Sequence, residues 1–207
     1  MKWKIHIARD LPFTALENLQ GKFAESVLSA KDLGVLLLSE PKATYTCGRS
    51  GLPGELLTSV DNIKTHGIAT HHVSRGGKWT YHGPGQLLVY PIVKLTELGY
   101  SRFGVRNFLH TLRLSIRAYL EKLGLNGVPG HPFGLYVADK KLVSFGISVE
   151  RGICRHGLSL YIKNQSDHFR NIDPCGIRGQ KVTSLCELGV DLPWEEIATQ
   201  LAEMIKK

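Results

Sequence analysis

The stretch from Arg75 to Gln86 combines side chains that can hydrogen-bond a ligand with a high density of glycine. Its twelve residues, RGGKWTYHGPGQ, include four glycines and one proline. Glycine adopts positive φ and lets a backbone approach a ligand closely, and proline favours a turn. Tight turns between strands would explain a single Gly-Gly or Pro-Gly pair. The whole run, with Arg75, Tyr81 and His82 among its glycines, predicts the wall of a substrate pocket.

Cys175 is the cysteine whose sequence context best suits a nucleophile. It lies between Pro174 and Gly176, which predicts an exposed side chain on a backbone of fixed geometry. Cys47 falls in a predicted strand and Cys186 in a predicted short helix, and we expect both to be buried. The four cysteines contain no C-x-x-C pair and no regular framework, so their spacing indicates neither a zinc site nor disulfides.

A thiol in this position needs a neighbour that favours its thiolate form. A free cysteine has a pKa near ~8.5, so only a small fraction is ionised at neutral pH. His82, His156 and Lys141 are the candidate neighbours, and their spacing in the sequence does not decide among them. Lys141 suits the role if it begins a buried strand, because desolvation lowers the pKa of an ammonium group. At a hairpin turn it would instead be solvated, as expected for Lys140.

Four segments of the sequence carry a family resemblance when they are taken together. They are RGGKWTYHGPGQ at 75–86, KLVSFG at 141–146, HGLSL at 156–160 and PCG at 174–176. In order and approximate spacing they resemble the lipoyl(octanoyl) transferase family, and the similarity extends from Pro41 to about Leu188. This family belongs to the superfamily of biotin and lipoate protein ligases. The resemblance therefore implies an α+β (mixed α/β) fold with a largely antiparallel sheet flanked by helices.

The resemblance also implies roles for the matching residues. Cys175 would carry the acyl group as a thioester, and Lys141 would lower the pKa of that thiol and transfer protons. The implied reaction moves an octanoyl group from acyl carrier protein to Cys175 and then to a lysine amine of a lipoyl domain. The implied substrate pocket consists of Arg75, Gly76, Gly77, Lys78, Trp79, Thr80, Tyr81, His82, Ser144, Phe145, Gly146, Gly157, Leu158 and Ser159.

The implied reaction needs no cofactor. Exchange between thioesters is nearly balanced and thioester to amide is downhill, so neither ATP nor a metal is required, and the sequence has no P-loop motif. The donor carries its own phosphopantetheine. The implied acceptors are the lipoyl domains of 2-oxoacid dehydrogenases and the H protein of the glycine cleavage system. Trp79 stands where the family often has valine, and Tyr161 where it usually has asparagine, so both would reshape the acyl tunnel.

Three other functions stay open at this point. An ATP-dependent lipoate or biotin protein ligase would activate the acyl group as an adenylate and would not need Cys175. A non-enzymatic basic domain would bind nucleic acid or an acidic protein and would form no covalent adduct. A cysteine hydrolase would release the free acid instead of forming an amide.

The composition is that of an ordinary globular protein. The 207 residues, of 23.0 kDa, suit a single domain over 1–207, and 43% of them are hydrophobic. No apolar run approaches the ~20 residues of a membrane span, so we expect a cytoplasmic protein. The net charge of +8 suits an acidic protein partner, whereas no basic run or nucleic-acid motif is present. The adjacent His71 and His72 would point to opposite faces of a strand and predict no metal site.

Hydrophobic periodicity predicts the elements that must hold these residues, in an order that mixes strands and helices. A capping-box pattern at Thr14–Glu17 begins a helix, and Gly34 would end it. Apolar residues at helical spacing make 103–123 the clearest helix. The predicted strands are 3–7, 35–38, 43–49, 68–73, 87–93, 134–137, 141–149 and 154–162. In the first strand, Trp3, Ile5 and Ile7 would alternate as a half-buried face. The last strand would be interrupted at 156–157. The predicted loops are 50–66 and 126–133, and a final helix covers 193–207.

Overall fold

The structure is a computed structural model that describes residues 2–30, 33–131, 133–163, 166–173 and 179–206. Cys175, the predicted nucleophile, lies outside these ranges. The strands are β1 (Lys2–Leu11), β2 (Leu33–Pro41), β3 (Thr44–Cys47), β4 (Ala69–His72), β5 (Trp79–His82), β6 (Gln86–Lys94), β7 (Val128–Gly130), β8 (Gly134–Val137), β9 (Lys140–Glu150) and β10 (Ile153–Tyr161). The helices are α1 (Phe13–Ser29), α2 (Val60–Thr65), α3 (Val105–Lys122), α4 (Ser166–Phe169) and α5 (Trp194–Ile205).

A large sheet forms the centre of the molecule. Within the described ranges it has seven strands in the order β1-β2-β6-β10-β9-β8-β7. β1 runs parallel to β2, and the other neighbouring pairs are antiparallel. The predicted α+β class with a largely antiparallel sheet is confirmed.

A second, smaller sheet carries the glycine-rich stretch. In the described part of the chain it has three strands in the order β4-β3-β5, with β3 parallel to β4 and antiparallel to β5. β5 occupies the middle of the stretch, so its glycines lie in the turns before and after a strand. On β4, His71 contacts the ring of Phe13 and His72 the ring of Trp79, as expected for neighbours that point to opposite faces.

Helices cover both faces of the large sheet. α3 and α5 pack on one face, where Leu112 and Leu201 join Leu36 of β2 in the main hydrophobic core. α1 packs on the other face, where Leu16 meets Leu37. Burial of this apolar surface is the main stabilising contribution to such a layered fold. The clearest predicted helix is confirmed as α3, whose buried residues recur at helical spacing.

α1 differs from its prediction at both ends. It begins directly after Pro12, whose cap position makes no side-chain hydrogen bond, so the predicted capping box at Thr14 is wrong. It ends at Ser29, and Gly34 lies within β2. A β-carbon at position 34 would lie 2.7 Å from the ring of Trp3 on the neighbouring strand. This glycine therefore permits close packing between β1 and β2 and does not end a helix.

Two burial predictions are also wrong. Ile5 and Ile7 are 44% and 53% exposed, because β1 is the edge strand and the helices cover the strands nearer the middle. Cys186 is exposed at the start of a short 3₁₀ turn, Cys186–Leu188, whose residues are not buried. Hydrophobic character alone predicted burial at these positions, but the position of each element in the fold decides it.

Two predicted loops contain short elements, and one predicted interruption affects a single side of its strand. Residues 50–66 include α2, which Ser59 caps by accepting a hydrogen bond from the backbone of Asn62 at 3.1 Å. Residues 126–133 include β7, a short edge strand paired with β8. β10 pairs with β9 continuously through His156, but its pairing with β6 is broken between Cys154 and Leu158, and His156 has a positive φ of 57°. The interruption predicted at 156–157 is therefore present on the β6 side.

Candidate active site

A cavity with about 580 Å³ of empty space, part of which is open to solvent, is lined by residues of both sheets. β9 and β10 of the large sheet form one wall, and β5 with the loop Arg75–Lys78 forms another. Phe169 of α4 and Val182 contribute further surface. Segments far apart in the sequence therefore meet around one space.

The cavity follows the paired strands β9 and β10. Lys141 lies at the start of β9, and Ile147 lies farther along the same strand, where its carbonyl accepts a hydrogen bond of 2.9 Å from Gly76. Antiparallel pairing places His156 opposite Ile147. A strand rises about 3.3 Å per residue, so Lys141 and Ile147 on β9 are about 20 Å apart. The cavity thus has a Lys141 end and a His156 end.

Lys141 lies in the cavity wall and is only 2% exposed. The hairpin between β8 and β9 turns through Ala138 and Asp139, both with positive φ, as two-residue hairpin turns require. Alternation along β9 then leaves Lys140 exposed and turns Lys141 inward. The buried-strand alternative for Lys141 is therefore the one that the fold adopts.

The backbone and side chain of Lys141 are both held in place. Its N–H donates to the carbonyl of Lys181 at 3.0 Å, and its carbonyl accepts from Thr183 at 2.9 Å. Its ammonium nitrogen lies 5.7 Å from the centre of the Tyr136 ring, within the range of a cation–π contact. These contacts fix the direction in which the side chain enters the cavity.

The loop before β5 is held by the buried side chain of Arg75. The guanidinium donates to the carbonyl and hydroxyl oxygens of Thr46 at 2.8 and 2.7 Å, and to the carbonyl of Gly76 at 3.0 Å. Gly77 follows with a φ of +85°, a conformation that favours glycine. Arg75 thus acts as a structural clamp that fixes a bare stretch of backbone against the cavity.

A second clamp holds the start of β5. The indole N–H of Trp79 donates to the carbonyl of Leu52 at 2.9 Å. Lys78 forms an ion pair with Glu55, whose carboxylate also accepts from the backbone of Leu52 at 3.0 Å. The segment around Leu52 therefore fixes both side chains where they line the cavity.

His82 is buried in a hydrogen-bonded group. Gln86 donates its amide N–H to the carbonyl of Tyr81 at 3.1 Å, which orients its oxygen to accept from Ser159 at 2.8 Å and from Nδ1 of His82 at 3.2 Å. Burial, and then the positive charge of Arg75, lowers the pKa of His82 to about 3. His82 is therefore neutral at pH 7, with its hydrogen on Nδ1.

His156 lies at the other end of the cavity and is also neutral. Burial lowers its pKa to about 3, and the charge of Arg75 contributes in the same direction. Its backbone N–H donates to the side chain of Gln20 at 2.7 Å, and Nε2 lies 3.4 Å from the hydroxyl of Ser74. A group with so low a pKa is a weak base at neutral pH, so neither His156 nor His82 suits the activation of a thiol.

Two glycines leave a strip of the large sheet without side chains. Gly146 of β9 pairs with Gly157 of β10, and both line the cavity. A β-carbon at Gly157 would lie only 2.0 Å from the carbonyl oxygen of Val89 on β6. The strip therefore offers a smooth surface for an apolar chain, and the sheet geometry requires glycine at position 157.

Tyr161 closes the wall near the Lys141 end. Its hydroxyl lies 2.6 Å from the hydroxyl of Ser144, and its ring centre lies 5.4 Å from that of Phe169. Tyr161 is 1% exposed. The position where the family pattern usually has asparagine is thus occupied by a large ring that faces the cavity.

The predicted pocket residues come together with one exception. Arg75–Thr80, His82, Ser144–Gly146 and Gly157–Ser159 all line the cavity, whereas Tyr81 does not. The ring of Tyr81 instead stacks on His168 at 4.1 Å and packs with Tyr45. Tyr161, which was expected to shape the tunnel, and His156, a candidate neighbour of the nucleophile, also line the cavity. Tyr90, Phe169 and Val182 line it without having been predicted.

The cysteines in the described ranges are poor candidates for a nucleophile at this cavity. Cys47 and Cys154 are buried, as expected of Cys47, and burial raises the pKa of both thiols. None of the described cysteines, including the exposed Cys186, lines the cavity. Cys175 lies outside the described residues, and its role remains a prediction.

Comparison with known proteins identifies the family. Residues 14–206 match the lipoyl protein ligase A/B catalytic domain. The chain belongs to this family. It is 34% identical to a probable octanoyltransferase of Pyrobaculum arsenaticum over 89% of this chain and 81% of the relative. It is 32% identical to an octanoyltransferase of Caldanaerobacter subterraneus over 95% of this chain and 86% of the relative.

Solved structures agree with this family at the level of the fold. The chain resembles a crystal structure of lipoate-protein ligase A bound with ATP with a TM-score of 0.80, covering 100% of this chain and 85% of the other. The sequence identity is 17%, so the likeness shows the fold alone. The predicted membership of the lipoate ligase fold is confirmed.

The described residues contain neither a metal-binding cluster nor a helix suited to crossing a membrane. Among the described residues, no group of three or more histidine, cysteine, aspartate or glutamate side chains is arranged to hold a metal ion. In the same ranges, no helix combines the length and apolar character needed to cross a bilayer.

Proposed function

We propose that this chain is an octanoyltransferase that moves an octanoyl group from acyl carrier protein to a lysine of a lipoyl domain. The observation that carries the proposal is the buried Lys141 at one end of a cavity walled by glycine-rich backbone. Family membership and the relatives named octanoyltransferase support the activity. The glycine strip on β9 and β10 supplies an apolar surface for the acyl chain.

Cys175 is the proposed nucleophile. The described residues on either side of it are bonded to segments that line the cavity or adjoin it. Asp173 donates its N–H to the carbonyl of Glu55 at 2.7 Å, and the carbonyl of Lys181 accepts from Lys141 at 3.0 Å. These anchors support a nucleophile that acts beside Lys141.

The first step transfers the acyl group to the enzyme. The neutral amine of Lys141 takes the thiol proton of Cys175, and the thiolate attacks the octanoyl thioester carbonyl. A carbon–sulfur bond to Cys175 forms, and the bond to the phosphopantetheine sulfur breaks. The ammonium of Lys141 returns the proton to the departing thiolate. This exchange of thioesters needs neither ATP nor a metal.

The second step transfers the acyl group to the acceptor. The neutral amine of the acceptor lysine attacks the Cys175 thioester, so a carbon–nitrogen bond forms and the carbon–sulfur bond breaks. Lys141 takes a proton from the attacking nitrogen and delivers it to the Cys175 sulfur. The enzyme is then ready for another donor.

The proposed acceptors are the lipoyl domains of 2-oxoacid dehydrogenases and the H protein of the glycine cleavage system. These partners and acyl carrier protein are commonly acidic, which suits the net charge of +8. We propose that the reaction takes place in the cytoplasm, where thiols stay reduced.

Intact-mass analysis after incubation with octanoyl-acyl carrier protein, without ATP, tests the proposal. We expect the native chain to gain the mass of one octanoyl group and Cys175→Ala to gain none. Lys141→Ala should acylate about 100-fold to 10,000-fold more slowly, because it lacks the group that transfers the proton.

Lys141→Arg is the matched control, since it keeps a positive charge that does not dissociate. We expect it to be as slow as Lys141→Ala if proton transfer is the role of Lys141. Native-rate acylation of Lys141→Ala would remove Lys141 from the mechanism. An octanoyl adduct that persists in Cys175→Ala would remove Cys175.

A further inference from the structure

A second groove adjoins the cavity described above, which we call the acyl cavity. It shares Phe169 and Val182 with that cavity and has a volume of about 1130 Å³, part of which is open to solvent. Leu57 and Ile172 add apolar surface to it. We call this space the basic groove, because the charged side chains that line it among the described residues are Lys140, Arg170, Lys181 and one carboxylate, Glu187.

The cations of the basic groove are exposed and only partly neutralised. Glu187 accepts a hydrogen bond from Thr183 at 2.9 Å, and Arg170 pairs with Asp167 at 3.4 Å. Lys140 and Lys181 form no ion pair with any described residue. The groove therefore has an excess of positive charge that two lysines can direct at an anion.

These two lysines are fixed relative to Lys141. Lys140 precedes it on β9, and the carbonyl of Lys181 accepts the N–H of Lys141 at 3.0 Å. Alternation along β9 sends the side chain of Lys141 into the acyl cavity and leaves Lys140 on the groove side. A linear ligand whose reacting atom lies beside Lys141 and which continues into the basic groove would therefore pass close to Lys140 and Lys181.

We propose that the basic groove binds the phosphodiester of the phosphopantetheine arm that carries the octanoyl group. This inference rests on the proposed function, because it places the donor thioester beside Lys141. The apolar surface of Phe169, Leu57 and Ile172 suits the pantetheine chain, and Lys140 and Lys181 suit its terminal phosphate. The groove continues the acyl cavity, so it suits a phosphate carried on one extended arm. The acidic face of a protein is broader and suits such a groove less well.

Binding of two small probes tests the proposal without any transfer step. The thioethers S-octyl-4′-phosphopantetheine and S-octyl-pantetheine share an apolar chain that cannot be transferred to Cys175, and they differ in the phosphate. Isothermal titration should show that the native chain binds the phosphorylated probe about tenfold more tightly. The double variant Lys140→Gln/Lys181→Gln should bind both probes with the affinity that the native chain has for the unphosphorylated one.

Lys22→Gln is the control for a general effect of charge, because Lys22 is exposed on α1, which covers the opposite region of the sheet. We expect it to keep the tenfold preference. The proposal is overturned if the native chain binds both probes equally, if Lys22→Gln loses as much preference as the double variant, or if the double variant weakens both probes equally. Absence of Cys175 acylation would refute the proposed transfer and leave this binding difference unchanged, so the two failures are distinguishable.

Discussion

Tyr161 shows how one residue can set the width of the cavity. It is buried at the Lys141 end, where its hydroxyl meets Ser144 and its ring packs beside Phe169. In the proposed reaction, a ring in this position would restrict the space beside the first carbons of the acyl chain, because these would lie nearest the reacting thioester. The effects of the ring and of the hydroxyl on the width of the cavity can be separated, because phenylalanine keeps the ring and lacks the hydroxyl.

We expect Tyr161→Ala to relax discrimination against acyl groups with a methyl branch at C3. The rate for 3-methyloctanoyl relative to octanoyl should rise about tenfold, since one methyl group in a packed pocket changes binding by this order. Tyr161→Phe should leave the ratio within about threefold, because the ring remains. Competition between the two acyl carrier protein conjugates, read by product mass, gives the ratio. Equal changes in the two variants would assign the effect to the hydroxyl and contradict a steric wall.

Individual site residues were predictable where a motif carried them. The stretches at 75–80, 144–146 and 157–159 were assigned from their glycines and polar groups, and they line one cavity. Tyr90, Phe169 and Val182 resemble ordinary core residues in the sequence, and only tertiary packing brings them to the cavity. Tyr81 shows the reverse error, since stacking on His168 draws its ring away from the cavity although its neighbours line it.

At the level of elements, β10 holds several parts of the cavity wall in place. It supplies Gly157 to the glycine strip and Tyr161 to the cavity wall, and it pairs with both β6 and β9. The carbonyl of Val89 on β6 approaches Gly157 so closely that a β-carbon there would lie 2.0 Å away. A side chain at 157 would force apart two strands that are both in the core.

We expect Gly157→Ala to lower the free energy of unfolding by about 1–3 kcal/mol, the usual cost of forcing extra atoms into a packed core. Gly21→Ala is the matched control, because Gly21 lies within α1 with no atom near its added β-carbon. That substitution should raise the free energy of unfolding by about 0.5–1 kcal/mol, since alanine favours helix. Urea denaturation measures both. An unchanged stability of Gly157→Ala would show that β6 can move away from β10.

Elements were predictable where periodicity was long and turns were clear. α3 and the β8–β9 hairpin follow from apolar spacing and a polar turn, and both are observed. The end of α1 was misplaced because Gly34 packs against the ring of Trp3 on the neighbouring strand. The local sequence does not reveal this contact between strands. β7 was missed because three residues are too short to show alternation.

At the scale of the whole molecule, the cavity exists because two sheets meet. Their strands were largely predicted, but the strand order, which places β10 between β6 and β9, depends on long-range pairing. That pairing brings Lys141 and the glycine-rich stretch to one space and buries His82 and His156 in its wall. The same burial links the stability of the whole fold to pH.

We expect the free energy of unfolding to fall as the pH drops below about 6.5. His82 and His156 have a pKa of about 3 in the folded chain, against about 6.5 when unfolded. Between these pKa values the unfolded chain binds protons that the folded chain does not, so the free energy of unfolding rises with pH. The stability that depends on the two histidines being neutral is fully present above about pH 6.5. Each histidine should therefore lower the free energy of unfolding by up to about 2 kcal/mol when the pH falls from 7 to 5.

Urea denaturation of the native chain and of His156→Gln at the two pH values isolates this effect. The loss of stability between pH 7 and pH 5 should be smaller in His156→Gln by up to about 2 kcal/mol, even if that variant is less stable at both pH values. His131→Gln, at an exposed position, should lose as much as the native chain. Carboxylates also titrate in acid, but they are common to all three proteins and cancel in the comparison. Equal losses in His156→Gln and the native chain would mean that His156 accepts a proton in the folded state, so burial would not control its charge.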